Sequence, residues 1–132
     1  AGVPDALPAL IKCYRIQDKA RNVGFDWKEK EDIWHKVEEE LNEFKDEVHA
    51  MNQEKMEEEF GDLLFSMINA ARLYKINPEN ALERCNRKFI RRFNHIEKRT
   101  KEENKELSQL SLEEMDAYWD EAKKIERENI QS

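Results

Sequence analysis

Apolar residues recur along this chain at intervals of three and four, the spacing of one face of a helix. Leu7, Leu10, Ile11 and Tyr14 open the series after residues 1–6, which read as a leader. Pro8 suits a first helical turn, where its missing N–H leaves no bond unmade. The pattern predicts a first helix running to about Asn22 and ended by Gly24. Asp26 and Glu29 form a capping-box-like pair for a second helix over about 28–50, with Ile33, Val37, Leu41, Phe44 and Val48 as its core stripe. Phe25 and Trp27, in the short linker, are expected to plug the linker down or to wall a planar ligand. A third helix over about 54–74 carries Met56, Phe60, Leu64, Met67 and Ala71 on one face. Asn77 caps a fourth, Pro78 lies in its first turn, and Leu82, Cys85, Phe89, Phe93 and Ile96 are its core face. Residues 98–109 have little apolar content and read as a solvated helix tail and loop. Ser111 with Glu114 makes a capping box for a last helix with Leu112, Met115, Trp119, Ala122 and Ile125 on one face. No stretch alternates as a strand does. The expected fold is all-α, a bundle of about five helices.

Composition narrows the function. The 132 residues suffice for one domain with a proper core, taken as 1–132. Charged residues make up 40% and the net charge is −7, so duplex nucleic acid is excluded as the main partner. A single nucleotide is not excluded, because a metal ion and a few basic residues meet its charge locally. There is no apolar run of membrane-spanning length and no signal peptide, so no membrane partner is expected. Cys13 and Cys85 have no metal-ligand spacing and are expected to be free, buried thiols in a reducing, cytoplasmic compartment.

The stretch from Lys36 to Asp62 holds the candidate chemistry. Glu38-Glu39-Glu40 with Glu43, and Glu57-Glu58-Glu59 with Asp62, each contain two acids three residues apart. At about 100° per residue, Lys36, Glu40, Glu43 and Glu47 lie about 60–120° to one side of Val37, while Glu39 points nearly away from the core. Lys55, Glu59, Asp62 and Ser66 lie about 100–160° to one side of Phe60. Asn52-Gln53 is long enough for the two helices to turn back on each other, and then four carboxylates converge. Such crowding is costly unless a cation occupies it. An all-oxygen donor set favours Mg²⁺ or Mn²⁺ over zinc. Lys36, Lys55, Lys88, Arg91 and Arg92 suit phosphate. Metal, phosphate and water together suggest metal-assisted phosphoanhydride hydrolysis with water as the nucleophile. The bland alternative is a set of solvated acidic faces with lysine partners, common in helices this charged. A di-iron bundle would want Glu-x-x-His on two helices. The nearest patterns, Asp32-x-x-His35 and Asp46-x-x-His49, share one helix, and these histidines and His95 read as ordinary surface or boundary residues. Gly61, inside the third helix, costs about 1 kcal/mol relative to Ala and suggests close approach of a backbone or ligand.

KVEEELNEF followed by KMEEEFGDLLFSMINAAR resembles the signature of the MazG nucleoside triphosphate pyrophosphohydrolases, as do LPALIKCYRIQDKARNVGFDW, NPENALERCNRKFIRRF and MDAYW. The family's E-E-x-x-E falls on Glu39-Glu40-Leu41-Asn42-Glu43 and its E-x-x-D on Glu59-Phe60-Gly61-Asp62. The resemblance implies an all-α fold that dimerises, and Mg²⁺-dependent hydrolysis of a nucleoside triphosphate to the monophosphate and pyrophosphate. It implies Glu40, Glu43, Glu59 and Asp62 as metal ligands. Nucleotide contacts would fall on Lys36 to Glu40, Lys55 to Glu58, Lys88 to Arg92, and Trp119, which by periodicity alone is a core residue. Glu39 would orient or deprotonate the water, and Lys88 and Arg92 would neutralise developing charge. The chain is similar to the second domain of the two-domain members, so a start at Ala1 fits a domain excised from a longer protein; a stand-alone member is the alternative. Two other functions compete: a dUTPase-like or modified-dNTP hydrolase of the same fold, and a non-catalytic nucleotide-binding helical module.

Overall fold

A computed structural model describes residues 3, 6–24 and 30–131, with the side chains of all of these except residues 30, 31 and 131. The expectations for Phe25, Asp26, Trp27 and Glu29 lie outside the described residues. Five α-helices follow in order: α1 (Ala9–Asn22), α2 (Lys30–Ala50), α3 (Gln53–Leu73), α4 (Pro78–Glu102) and α5 (Leu112–Gln131), with a 3₁₀ turn at Leu107–Gln109. The fold is all-α, and no strand occurs among the described residues. No helix among them is long and apolar enough to cross a membrane.

Local chemistry sets the boundaries. Gly24, with φ of 91°, follows the end of α1 and donates its N–H to the Arg21 carbonyl. Met51 takes a left-handed φ of 56° after α2. Asn52 then caps α3 by accepting from the Lys55 amide at 3.2 Å. Asn77 accepts from the Asn80 amide at 3.0 Å at the start of α4. Ser111 and Glu114 make the reciprocal pair expected of a capping box, at 3.1 and 3.2 Å. Within the tail, α4 continues to Glu102, and Thr100 is buried, its hydroxyl donating to the Ile96 carbonyl.

The chain forms two compact units, Ala1–Ala81 and Leu82–Ser132. In the first, α2 and α3 form an antiparallel hairpin and α1 packs on α3. Phe44 meets Phe60 at 5.4 Å between ring centroids near the turn. At the far end Trp34 donates its indole N–H to the Tyr74 hydroxyl at 2.8 Å. In the second unit α5 runs back along α4: Arg99 and His95 meet Glu121, and Arg92 meets Glu126.

The inward face of α3 is rotated from the expected apolar stripe, whereas on α2 that stripe is partly covered, with Ile33 buried and Val37 and Phe44 half-buried. Leu41 and Val48 on α2, and Phe60, Leu64 and Met67 on α3, are exposed. Ile33 and Glu40 are buried on α2, and Leu63, Ser66, Asn69 and Ala70 on α3. Glu40 from the acid-bearing flank of α2 and Ser66 from that of α3 join the packed face, while Glu43 and Asp62 stay exposed. Much of the expected face of α4 is likewise exposed, including Leu82, Phe89 and Phe93, whereas Ile96 is buried. Leu112 and Ile125 on α5 are exposed and Ala122 is buried.

Two further expectations are corrected. A Cβ placed on Gly61 would meet nothing within 4 Å, so none of the described residues makes the close backbone approach its presence suggested. Gly61→Ala is therefore expected to stabilise the chain by about 0.4–1 kcal/mol, through helix propensity and a less flexible unfolded state. Urea unfolding measures it. Both cysteines are free, but Cys85 is exposed and only Cys13 is partly buried. Burial pushes the Cys13 thiol up to about 11, so it stays protonated near neutral pH.

Candidate functional site

The α2–α3 hairpin brings Glu40, Glu43 and Glu59 together, one carboxylate oxygen from each lying within 4.8 Å of the other two. Glu40 is buried, Glu59 half-buried and Glu43 exposed. The Glu40 Oε1 accepts from Lys36 Nζ at 2.9 Å, one helical turn earlier. Lys36 Nζ also lies 3.7 Å from Glu39. That hydrogen bond to Glu40 is the main cause holding the Lys36 ammonium above its ordinary range. The Oε2 atoms of Glu40 and Glu59 are buried and have no hydrogen-bond partner. The charge of Glu40, then burial, then the charges of Glu59 and Glu39 hold Glu43 above the usual carboxylate range. Lys36 supplies one positive charge to this group, and two buried oxygens remain without a donor. A hard divalent cation is the partner whose chemistry suits such a set. The residues present therefore fit a Mg²⁺ or Mn²⁺ site.

Asp62 lies outside the 4.8 Å group. It lines a cavity of about 560 Å³ that Glu40 and Lys36 also line. The cavity runs between α1, α2 and α3, walled by Ile16, Ile33 and Phe65 among others, with a polar strip of Ser66, Asn69 and Arg72 from α3. A volume in this range accommodates a small-molecule ligand. Glu39 is exposed on α2, as are Lys55 and Glu58 on α3.

The remaining predicted residues belong to the second unit. Arg92 bonds Glu126 through Nε, at 3.3 Å to both carboxylate oxygens, and through Nη2 at 3.0 Å. That hydrogen bond is the main cause holding the Glu126 carboxyl below its ordinary range. The Arg92 guanidinium lies 5.1 Å from the Trp119 ring, which also meets Phe89 at 5.3 Å. Trp119 is half-buried. Arg91 Nε lies 3.8 Å from Glu126, and Lys88 is exposed. His95 Nε2 meets Glu121 at 2.9 Å, while His35 and His49 are exposed.

Gln17, Asn69 and Arg72 escaped the reading of the sequence. The signal was present in the most apolar helix. Ser66, Asn69 and Arg72 recur every three residues within LLFSMINAAR, a polar line on a face that must face protein. Gln17 carries no comparable pattern.

The chain belongs to the family described as the MazG nucleotide pyrophosphohydrolase domain, which matches residues 28–97. It is 44% identical over 117 residues to the "Nucleoside triphosphate pyrophosphohydrolase/pyrophosphatase MazG" of Thermotoga maritima, covering 89% of this chain and 45% of that protein. It is 39% identical over 126 residues to the "Nucleoside triphosphate pyrophosphohydrolase" of Escherichia coli K12, covering 94% of this chain and 48% of that one. An "Uncharacterized protein YabN" of Bacillus subtilis is 53% identical over 78 residues. The chain thus spans slightly less than half the length of the first two relatives.

Proposed function

We propose that this chain hydrolyses nucleoside triphosphates to the monophosphate and pyrophosphate, with Mg²⁺ or Mn²⁺ as cofactor. One observation carries the reading: three carboxylates lie within 4.8 Å, two of them with a buried oxygen that lacks any partner. Family membership supplies the reaction class that such a group would serve. Glu40, Glu43 and Glu59 hold the cation, and Asp62, three residues beyond Glu59, is the fourth ligand assigned. When bound, the cation neutralises charge on phosphate oxygens and makes water a better nucleophile at neutral pH.

The chain's own groups do the rest. Lys36 already balances part of the acid cluster, and with Lys55 and Glu58 it is assigned to the nucleotide. Lys88, Arg91 and Arg92 are assigned to the phosphates. Lys88 and Arg92 offset the negative charge that develops as the phosphoanhydride bond breaks. Glu39 is exposed and adjoins the cluster, which suits a group that orients water or takes its proton. Trp119 offers a ring face to the base or ribose. The cavity between α1, α2 and α3 begins at Glu40 and Asp62 and receives the nucleoside end. A second copy of the chain is the proposed partner. The exposed Leu41, Val48, Phe60, Leu64 and Met67 support it, since apolar surface of this kind usually finds a cover.

Incubation with nucleoside triphosphates and Mg²⁺, with products separated by ion-exchange chromatography, tests the reaction. Monophosphate and pyrophosphate are expected. Diphosphate and orthophosphate would overturn the cleavage assigned.

A further inference from the structure

Gln17 is 5% exposed and lines the cavity beside the acid cluster. Its Nε2 donates to the Phe65 main-chain carbonyl at 2.7 Å and lies 3.5 Å from Cys13 Sγ. A carbonyl only accepts, so the amide is locked with its NH₂ toward α3. Its Oε1 is buried and has no hydrogen-bond partner. An orphaned acceptor of this kind is destabilising and calls for a reason.

Asn69 supplies the complementary half. It stands one helical turn beyond Phe65, on the same cavity wall. Its Oδ1 accepts from Arg72 Nε at 3.2 Å and Nη2 at 2.8 Å. Guanidinium only donates, so this amide too is locked, with the Nδ2 hydrogens left for another acceptor. Gln17 from α1 and Asn69 from α3 thus bring a fixed acceptor and a fixed donor to the lining of one cavity, a pair that matches a planar edge carrying an N–H beside an acceptor. The Watson–Crick edge of a nucleobase is such an edge.

We propose that Gln17 is a specificity-determining residue. Its Oε1 accepts a hydrogen bond from an N–H of the substrate's base, and Asn69 Nδ2 donates to the acceptor beside it. This rests on the reading of the cavity as the nucleoside site, and it names the groups that read the base there. A polar site built for an N–H rejects an analogue that lacks it, because the site's own acceptor is then buried unpaired. Gln17 therefore enforces a base with an intact edge.

Matched ligands test this. Equilibrium binding is measured with Mg²⁺ for non-hydrolysable α,β-methylene triphosphates in three pairs: adenosine against purine riboside, cytidine against pyrimidin-2-one riboside, and uridine against N3-methyluridine. The expected result is a preference of about tenfold or more for the N–H-bearing member of at least one pair. In Gln17→Leu that ratio falls to about one. Leucine removes the orphaned acceptor, so thermal unfolding of the variant is expected at or above the wild-type temperature. Gln17→Met also removes the acceptor and reads the same ratio should Gln17→Leu fail to fold, whereas Asn69→Asp, which keeps the acceptor for Arg72 and removes the donor, is expected to weaken both members of each pair. Equal wild-type binding of both members of every pair, or a ratio that survives in the Gln17 variants, overturns the assignment. The hydrolysis reading fails separately: selective binding lost in Gln17→Leu, with no turnover by the wild type, sinks the activity and leaves the base-reading role standing.

Discussion

Glu59→Gln is expected to lower turnover of a nucleoside triphosphate by about 100-fold or more while the metal-free protein becomes more stable, not less. The two effects share one cause. Glu59 brings a half-buried carboxylate within 4.8 Å of those of Glu40 and Glu43, and its Oε2 has no donor. Without a cation, three like charges repel across the hairpin turn that joins α2 to α3. Glutamine keeps the shape, removes one charge and brings an N–H₂ that its carboxylate neighbours accept. With a cation, the same substitution removes a ligand. Thermal unfolding with and without Mg²⁺ separates the two. Wild type at about a hundred times its dissociation constant gains about 2.7 kcal/mol. The variant, starting from a higher temperature, gains little. A variant that loses stability without metal, or that keeps its turnover, would remove the basis for calling this cluster a built site.

Ile33→Ala carries the second large effect, on the fold. Ile33 is 0% exposed and is the largest fully buried side chain among the described residues. It also walls the cavity, so the methyl groups lost on truncation enlarge a void instead of being filled by neighbours. The expected cost is about 2–4 kcal/mol, a large part of the stability of a small domain. Chemical denaturation measures it, and a cost under about 1 kcal/mol would mean that α2 does not seat on this side chain. Because Lys36 and Glu40 lie one and two turns along the same face, the variant is also expected to weaken cation binding.

The helices were legible because their punctuation is chemical. Asn77, the Ser111–Glu114 pair and Gly24 act through local hydrogen bonds and backbone freedom, which need no knowledge of the rest of the molecule. The proximity of Glu40, Glu43 and Glu59 was legible for a similar reason: helical phase and a short turn are enough to predict it. What escaped was how much of each apolar stripe is covered, above all on α3, which is rotated about its axis. An apolar stripe says which face avoids water, not whether this chain's own core or another surface covers it. Phe60, Leu64 and Met67 therefore read as core and are exposed, whereas Ser66 read only as part of the polar flank, Asn69 and Arg72 drew no reading, and all three are buried. Asp62 stands slightly apart from the other three acids. Its phase places it with the acids, but it lies on the cavity wall, outside the 4.8 Å group. Gln17 was invisible because its buried hydrogen bond is to a carbonyl 48 residues away.

Titration of Mn²⁺ into the wild-type chain and Glu59→Gln, followed by the electron paramagnetic resonance of free Mn²⁺, tests the central claim most directly. The wild type is predicted to deplete the free-ion signal saturably, and Mg²⁺ to restore it by competition. The variant is predicted to leave the signal close to that of buffer. Wild type that leaves Mn²⁺ free, or a variant that binds it as well as the wild type, would contradict a divalent-cation site at Glu40, Glu43 and Glu59.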